Sequence, residues 1–280
     1  FFNENFQSID DYTHRPYYAV FERWLKYLAF FFTILLPGFY VAVGTFHPEL
    51  LPEALLLNVT AAEQDVPFPL VIEALLIHFI YELMREAGRL LAIMHEELQK
   101  EIKPGISTWD INHLADTIIR DFGCVPNFLN YNGFPATICT SINDEVVHGI
   151  PSKKRILQEG DIISLDCGLI YKGYHSDAAR TWGVGEISKE AQRLIDVTKQ
   201  SFFEGIKFAK DGNHLYEISK AIQDYAEGFG YSIVRDLVGH GIGTHLHEDP
   251  QIPNFKPRGR GLKLQAGMTL AIEPMINEGV

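Results

Sequence analysis

Five residues recur in a single register along this chain. Lys103, Gly105, Ile111, Phe122 and Gly123 return as Lys210, Gly212, Ile218, Phe229 and Gly230, each displaced by 107 positions. Both sets sit in the same order of signals: a helical apolar pattern, a Lys-x-Gly turn, a second amphipathic pattern, a Phe-Gly stop, then strand-like segments. A glycine just past the last periodic residue is a helix terminator, because it takes the left-handed conformation without a Cβ penalty. A unit of two helices and a sheet that occurs twice predicts a pseudo-two-fold α/β domain. A site in such a domain is expected where the halves meet.

The local signals inside the first copy are specific. RLLAIMHEELQKEI puts Leu90, Leu91, Met94, Leu98 and Ile102 on one helical face, and Lys103-Pro104-Gly105 stops it. Ser107 and Asp110 have the spacing of a capping box, with Asp in place of the usual Glu. Ile111, Leu114, Ile118, Ile119 and Phe122 form the next face. DIISLDCGLIYKGYHSDAARTW reads as two strands joined at Lys172-Gly173.

Residues 1–88 are of another kind, and the seam divides the chain into 1–88 and 89–280. Tyr27–Phe46 runs for twenty residues without a charge, the length that crosses a bilayer core of about 30 Å as a helix. Arg23 and Lys26 precede it and Glu49 follows, which predicts a spanning helix with its N-terminal side in the cytoplasm. After the break at Val66-Pro67-Phe68-Pro69, the apolar pattern carries Glu73, His78 and Glu82 and reads as an amphipathic helix. The whole chain has 36 acidic against 24 basic residues and no basic run, which argues against direct nucleic-acid binding. Three cysteines make no disulfide framework, so the setting expected is reducing and cytosolic.

The residues able to do chemistry lie in the body. Asp166 sits in IISLDCG and Asp177 eleven residues on, across the turn. Two carboxylates on paired strands repel unless a positive charge lies between them. His240 lies between glycines in VGHGIGTHLHEDP, and Glu273 in MTLAIEPM, read as an apolar strand closed by Pro274. Three carboxylates and one imidazole form an oxygen-rich set that suits manganese, iron or cobalt better than a thiolate-type structural zinc site.

Two resemblances follow. NDEVVHGIP, ISLDCGLIYKGYHSDAARTW, VGHGIGTHLHEDPQIPNF and GMTLAIEPMIN, spread over residues 83–280, resemble type I methionine aminopeptidases. No long insertion separates His240 from Glu273, as in type I rather than type II. The resemblance implies the duplicated pita-bread fold, incomplete at its C-terminal end, and removal of the initiator methionine from new proteins by metal-hydroxide attack on the peptide bond. It implies two divalent ions (Co, Mn, Fe or Zn), with Asp166 on one, Asp177 bridging, and His240 and Glu273 on the other. By the same resemblance His247 and His148 act on the substrate, and Tyr131, Phe134 and Cys139 line a methionine pocket. Phe128 stands where that family varies, and His245 is outside its pattern. The front of the chain, through VPFPLVIEALLIHFIYELMREAG, resembles the spore-germination receptor A-subunit family. That likeness implies inner-membrane anchoring through residues 1–88, while the aminopeptidase-like part is expected to be cytoplasmic and monomeric.

The sequence also departs from these families. Aminopeptidases of this type have no spanning segment, and the segment Glu82–Gly88 fits both resemblances, as expected of a chimera. The family's further bridging Glu lies on a later strand than any present, so one tightly bound metal and weak hydrolysis are expected. The alternative expectation is a receptor fragment carrying a non-catalytic pita-bread passenger.

Overall fold

The computed structural model describes residues 70–279 throughout and, before them, residues 24–25, 27–28, 31–32, 35, 38–39, 42–43, 46–47 and 50–52. The chain divides into two compact units, Phe1–Tyr81 and Glu82–Val280. In the first, the expected span Tyr27–Phe46 lies largely outside the described residues; those of its residues that are described are helical. Among the described residues no helix is long and apolar enough to cross a membrane.

A 32-residue helix, α1 (Leu70–Glu101), includes the boundary between the units. The seam expected at residue 88 therefore falls within a helix rather than in a linker. Nothing between Leu70 and Glu101 breaks a helix except Gly88, which is tolerated at a modest cost. The ion pairs Glu82–Arg85, Glu86–Arg89 and Glu97–Lys100 sit at helical i, i+3 spacing along it.

In the second unit the duplication is visible down to single hydrogen bonds. Helix α2 (Thr108–Asp121) and, after α3 (Lys189–Ile206), helix α4 (Leu215–Gly228) are both 14 residues long and begin 107 positions apart. Gly105 N–H donates to the Leu157 carbonyl at 2.8 Å, and Gly212 N–H to the Leu264 carbonyl at 2.9 Å. The bridge Ser107↔Ile156 is repeated as His214↔Lys263. The two N-caps differ. Ser107 and Asp110 form a complete capping box, Asp included, whereas His214 caps nothing with its side chain. Instead the α4 N-terminus donates to backbone carbonyls of Leu262 and Arg260.

The first copy continues through β1 (Val125–Pro126) and β2 (Ile138–Ile142) to the hairpin of β3 (Ile162–Tyr171) and β4 (Tyr174–Gly183). Lys172 and Gly173 both have positive φ, the conformation a two-residue hairpin loop requires. β3 pairs with β4 along its full length and with β2 and β1 in succession. Its Ile163, Leu165, Cys167 and Leu169 are buried against Leu91, Met94 and Leu98 of α1 and Ile111 and Ile119 of α2. Each such side chain contributes about 1.5–3 kcal/mol when fully buried. Alternation along the strand then turns Asp166 to the opposite face.

The second copy supplies β5 (Ser232–Ile233), β6 (Val238–Gly241), β7 (Glu248–Pro253), β8 (Leu270–Ala271) and β9 (Ile276–Asn277). β6 lies between β7 and β8, and β5 pairs with β9. Its own core is Leu215, Ile218, Ile222, Ala226, Ile233, Ile252 and Leu264. The strand expected through Glu273 is shorter than its apolar run suggests. β8 ends at Ala271, and Glu273 follows it, next to Pro274, which has no N–H to extend a ladder.

Candidate metal centre

Asp166 and Asp177 come from the first copy. The β3–β4 register sets Asp166 opposite Ala179 and Gly168 opposite Asp177, so the two acids are diagonal neighbours on one face. His240 is on β6, opposite Ala271 of β8, and Glu273 lies two residues past that strand. A Cβ on Gly239 would drive into the Ala271 carbonyl oxygen, so glycine there is what lets β8 reach His240. The site thus forms between the two halves, as the repeat predicts.

Donor atoms of Asp177, His240 and Glu273 all lie within 4.8 Å of one another. His240 Nε2 is 3.6 Å from Asp177 Oδ2 and 3.1 Å from Glu273 Oε1. The other ring nitrogen, Nδ1, donates to the Gly241 carbonyl at 2.8 Å. A carbonyl can only accept, so Nδ1 holds a proton and a neutral imidazole would aim its Nε2 lone pair at two carboxylates. Glu273 Oε1 is buried and, despite its nearness to Nε2, makes no hydrogen bond. That is a costly arrangement without a cation in the middle and a favourable one with it.

Electrostatics agree. Burial, then the charges of Asp177 and Glu273, push Asp166 well above the ordinary carboxylate range. Burial likewise raises Asp177, partly offset by the His240 ring beside it. Burial opposes charge on His240, but the Asp177 and Glu273 carboxylates outweigh it and raise the imidazole to about 10. Positive charge is thus favoured between these carboxylates; a divalent ion bound there would take the place of the His240 Nε2 proton. The residues fit a divalent metal.

Around this centre lie the other expected site residues. The His247 ring packs edge-on against His240, with centroids 4.3 Å apart. Burial, then the positive charge of His240, holds His247 below its ordinary value. Tyr131 hydrogen-bonds His247 Nδ1 at 2.7 Å. His148 is exposed, with φ of 59°, in the loop after β2, close enough for its charge to act on His247. That loop is fixed on both sides: Gly149 N–H donates to Ser141 Oγ at 3.1 Å, and Arg155 pairs with Glu145. His245 is exposed and faces Glu248 instead.

Cys139 and Phe134 join an apolar cluster with Phe128, Ile242, Leu246 and Ala271. Burial pushes the Cys139 thiol up, so it behaves as a small hydrophobe. Ile242 and Leu246 carry no sequence signal beyond being apolar neighbours of His240 and His247. Phe128 is settled only by the fold.

Residues 82–280 match the profile of metallopeptidase family M24. The chain belongs to that family. Within M24 it is 57% identical over 198 residues to the methionine aminopeptidase of Clostridium acetobutylicum, covering 71% of this chain and 79% of the relative. It is 52% identical to methionine aminopeptidase 1 of Bacillus subtilis, covering 70% and 79%. The crystal structure of methionine aminopeptidase from Rickettsia prowazekii superposes with a TM-score of 0.71 at 41% identity, over 72% of this chain and 82% of that one. The M24 body thus has the pita-bread fold of the methionine aminopeptidases. Residues 1–92 match a second profile, the Bacillus/Clostridium GerA spore germination protein, so the two matches share residues 82–92 of α1.

Proposed function

We propose that the chain is a metal-dependent methionine aminopeptidase that removes the N-terminal methionine from newly made proteins. The observation that carries this reading is the convergence of donor atoms of Asp177, His240 and Glu273 inside 4.8 Å of one another, with Glu273 Oε1 buried among them. Asp177, His240 and Glu273 are read as one metal position. Asp166 shares a second with Asp177, which leaves that position short of donors; one ion (Co, Mn, Fe or Zn) is expected to bind tightly. A divalent ion there would lower the pKa of a bound water and polarise the scissile carbonyl.

The remaining roles belong to the chain's own residues. Phe128, Phe134, Cys139, Ile242 and Leu246 offer a methionine side chain an apolar wall close to the carboxylates. That placement positions the first peptide bond of a substrate rather than an internal one. His247, uncharged at neutral pH, donates to the carbonyl oxygen as charge develops on it. His148, held at the rim by its loop, contacts the peptide and steadies the departing amide. Incubating the 280-residue chain with a Met-Gly-type peptide and Mn²⁺ or Co²⁺ tests the reading. Metal-dependent release of free methionine is expected, abolished by H240A. No release at any metal concentration, or release that H240A leaves unchanged, would overturn it.

The front of the chain supports a second statement, on location. With the seam placed at residue 88, residues 1–88 act as a membrane-associated segment through Tyr27–Phe46, holding a monomeric catalytic part on the cytoplasmic side. The GerA match over residues 1–92 and the uncharged run support this. Flotation of the full chain with lipid vesicles is expected, and loss of flotation when residues 1–69 are removed.

A further inference from the structure

Tyr131 and His247 are 116 residues apart and come from different copies of the repeat, yet the Tyr131 hydroxyl lies 2.7 Å from His247 Nδ1. Their rings are 5.3 Å apart and tilted at 42°, so the hydrogen bond joins the polar atoms of two rings that also touch. Tyr131 is carried by a single 3-10 turn, Tyr131–Gly133, whose backbone leaves little choice of position. Asn130 and Asn132 flank it with φ of 66° and 48°, and Gly133 follows at 82°. Asparagine and glycine are the residues that tolerate this left-handed region. The turn is closed by Asn130 N–H to the Phe134 carbonyl at 2.8 Å and Tyr131 N–H to the Phe128 carbonyl at 2.9 Å. Phe128 and Phe134 are themselves anchored in the apolar cluster. The hydroxyl is therefore presented to His247 by a constrained turn, not by a free side chain.

The chemistry of the pair has a direction. A phenol is an O–H donor, and an unprotonated imidazole nitrogen is the stronger acceptor of the two. An uncharged imidazole has a single ring proton to place, and the 2.7 Å contact from the held hydroxyl reaches Nδ1. With Nδ1 accepting from Tyr131, that proton must be on Nε2.

We infer that Tyr131 is a positioning residue that fixes His247 in its Nε2–H tautomer, rather than a wall of the methionine pocket. It rests on the reading of His247 as the donor to the substrate oxygen. An Nε2–H ring is a donor already aimed before substrate arrives, and electrostatic stabilisation costs least when the donor needs no reorientation. The opposite tautomer would turn a lone pair toward the oxygen and repel it. The structure thus divides two residues that the sequence groups together: Phe134 belongs to the apolar cluster, and Tyr131 belongs to the histidine.

Tyr131→Phe tests this cleanly, because the ring and the turn remain and only the hydroxyl is lost. The first measurement is the long-range ¹H–¹⁵N correlation spectrum of the metal-free, ¹⁵N-histidine-labelled full chain at pH 8. His247 is expected to show a protonated Nε2 and a bare Nδ1; in Y131F both nitrogens are expected to move toward the average of the two tautomers. A protonated Nδ1 in the parent chain, or nitrogens that Y131F leaves in place, would overturn the inference. The second measurement is peptide hydrolysis. Losing one neutral hydrogen bond predicts a fall in kcat of about tenfold with KM changed less than about twofold. A change confined to KM assigns Tyr131 to the pocket and overturns the inference. If the parent chain releases no methionine, the functional reading fails, and the nitrogen shifts still decide the tautomer.

Discussion

Asp166 and Glu273 occupy the same position in two copies of one unit. They are 107 residues apart, the step that separates α2 from α4, and the charge of Glu273 reaches Asp166 and helps raise it. Equivalent positions of the two copies, one inside β3 and the other just past β8, thus bring two acidic side chains to one centre. Asp177 and His240 have no such relation to each other, so the centre is only half symmetric.

Removing one acid of this pair should be felt as lost affinity. Outer partners of metal ligands alone cost about 10–100-fold when removed. Glu273→Gln, which keeps the shape and loses the charge, is expected to weaken Mn²⁺ binding by about 100-fold or more by titration calorimetry. Asp166→Asn is expected to do less, because the three-donor group excludes it. Equal losses for both would contradict the assignment of the tight position to Glu273.

The metal should also stabilise the fold. The charges of neighbouring acids raise Asp166 and Asp177, and among the described residues His240 lies against Asp177 and Glu273. A ligand that binds only the folded state contributes about 2.7 kcal/mol at 100 times its dissociation constant. Addition of Mn²⁺ to chelator-treated protein is expected to raise Tm by several degrees, and H240A should abolish the shift. An unchanged Tm would show that the donors do not converge on an ion.

Acid stability has a separate, buried source. His95 of α1 is 3% exposed; its Nε2 donates to the Ala178 carbonyl at 2.9 Å, and its Nδ1 has no partner. Burial, with the nearby Arg180 charge adding to it, lowers the ring from 6.5 to about 4. The folded state therefore binds this proton less readily than the unfolded one. Stability from a neutral His95 is complete above about pH 6.5 and is lost as pH falls toward 4. The loss amounts to about 2–3 kcal/mol. Urea unfolding between pH 7.5 and pH 4 should show this slope in the parent chain and a shallower one in His95→Gln. Parallel slopes would exclude the histidine.

Gly239→Ala should act through geometry alone. The added Cβ meets the Ala271 carbonyl, which belongs to the strand that brings Glu273 in. Overpacking of this kind costs about 1–3 kcal/mol. A lower midpoint in urea and weaker metal binding are both expected; unchanged metal affinity would mean that the β6–β8 approach does not position Glu273.

Much of this was legible in the sequence where chemistry is local. Lys172-Gly173 announces the hairpin because few residue pairs accept two positive φ values, and Ser107 with Asp110 announces a helix start because the hydrogen bonds close within four residues. The repeat read from Gly105 and Gly212 foretold that the site would lie between halves. Other features escaped because tertiary contacts decide them. The run through Glu273 is apolar enough for a longer strand, but the partner strand β6 meets only Leu270 and Ala271. The change in composition at residue 88 is not a change in conformation, since no residue there stops a helix. Phe128 and Leu246 are neighbours only after folding, and the bond between Tyr131 and His247 spans 116 positions.

Order of synthesis follows from where the donors lie. Asp166 and Asp177 are in place by the hairpin, His240 arrives 63 residues after Asp177, and Glu273 comes 33 later still. A chain leaving the ribosome therefore carries both aspartates before the histidine and the glutamate, and the three converging donors can meet only once the second copy has emerged.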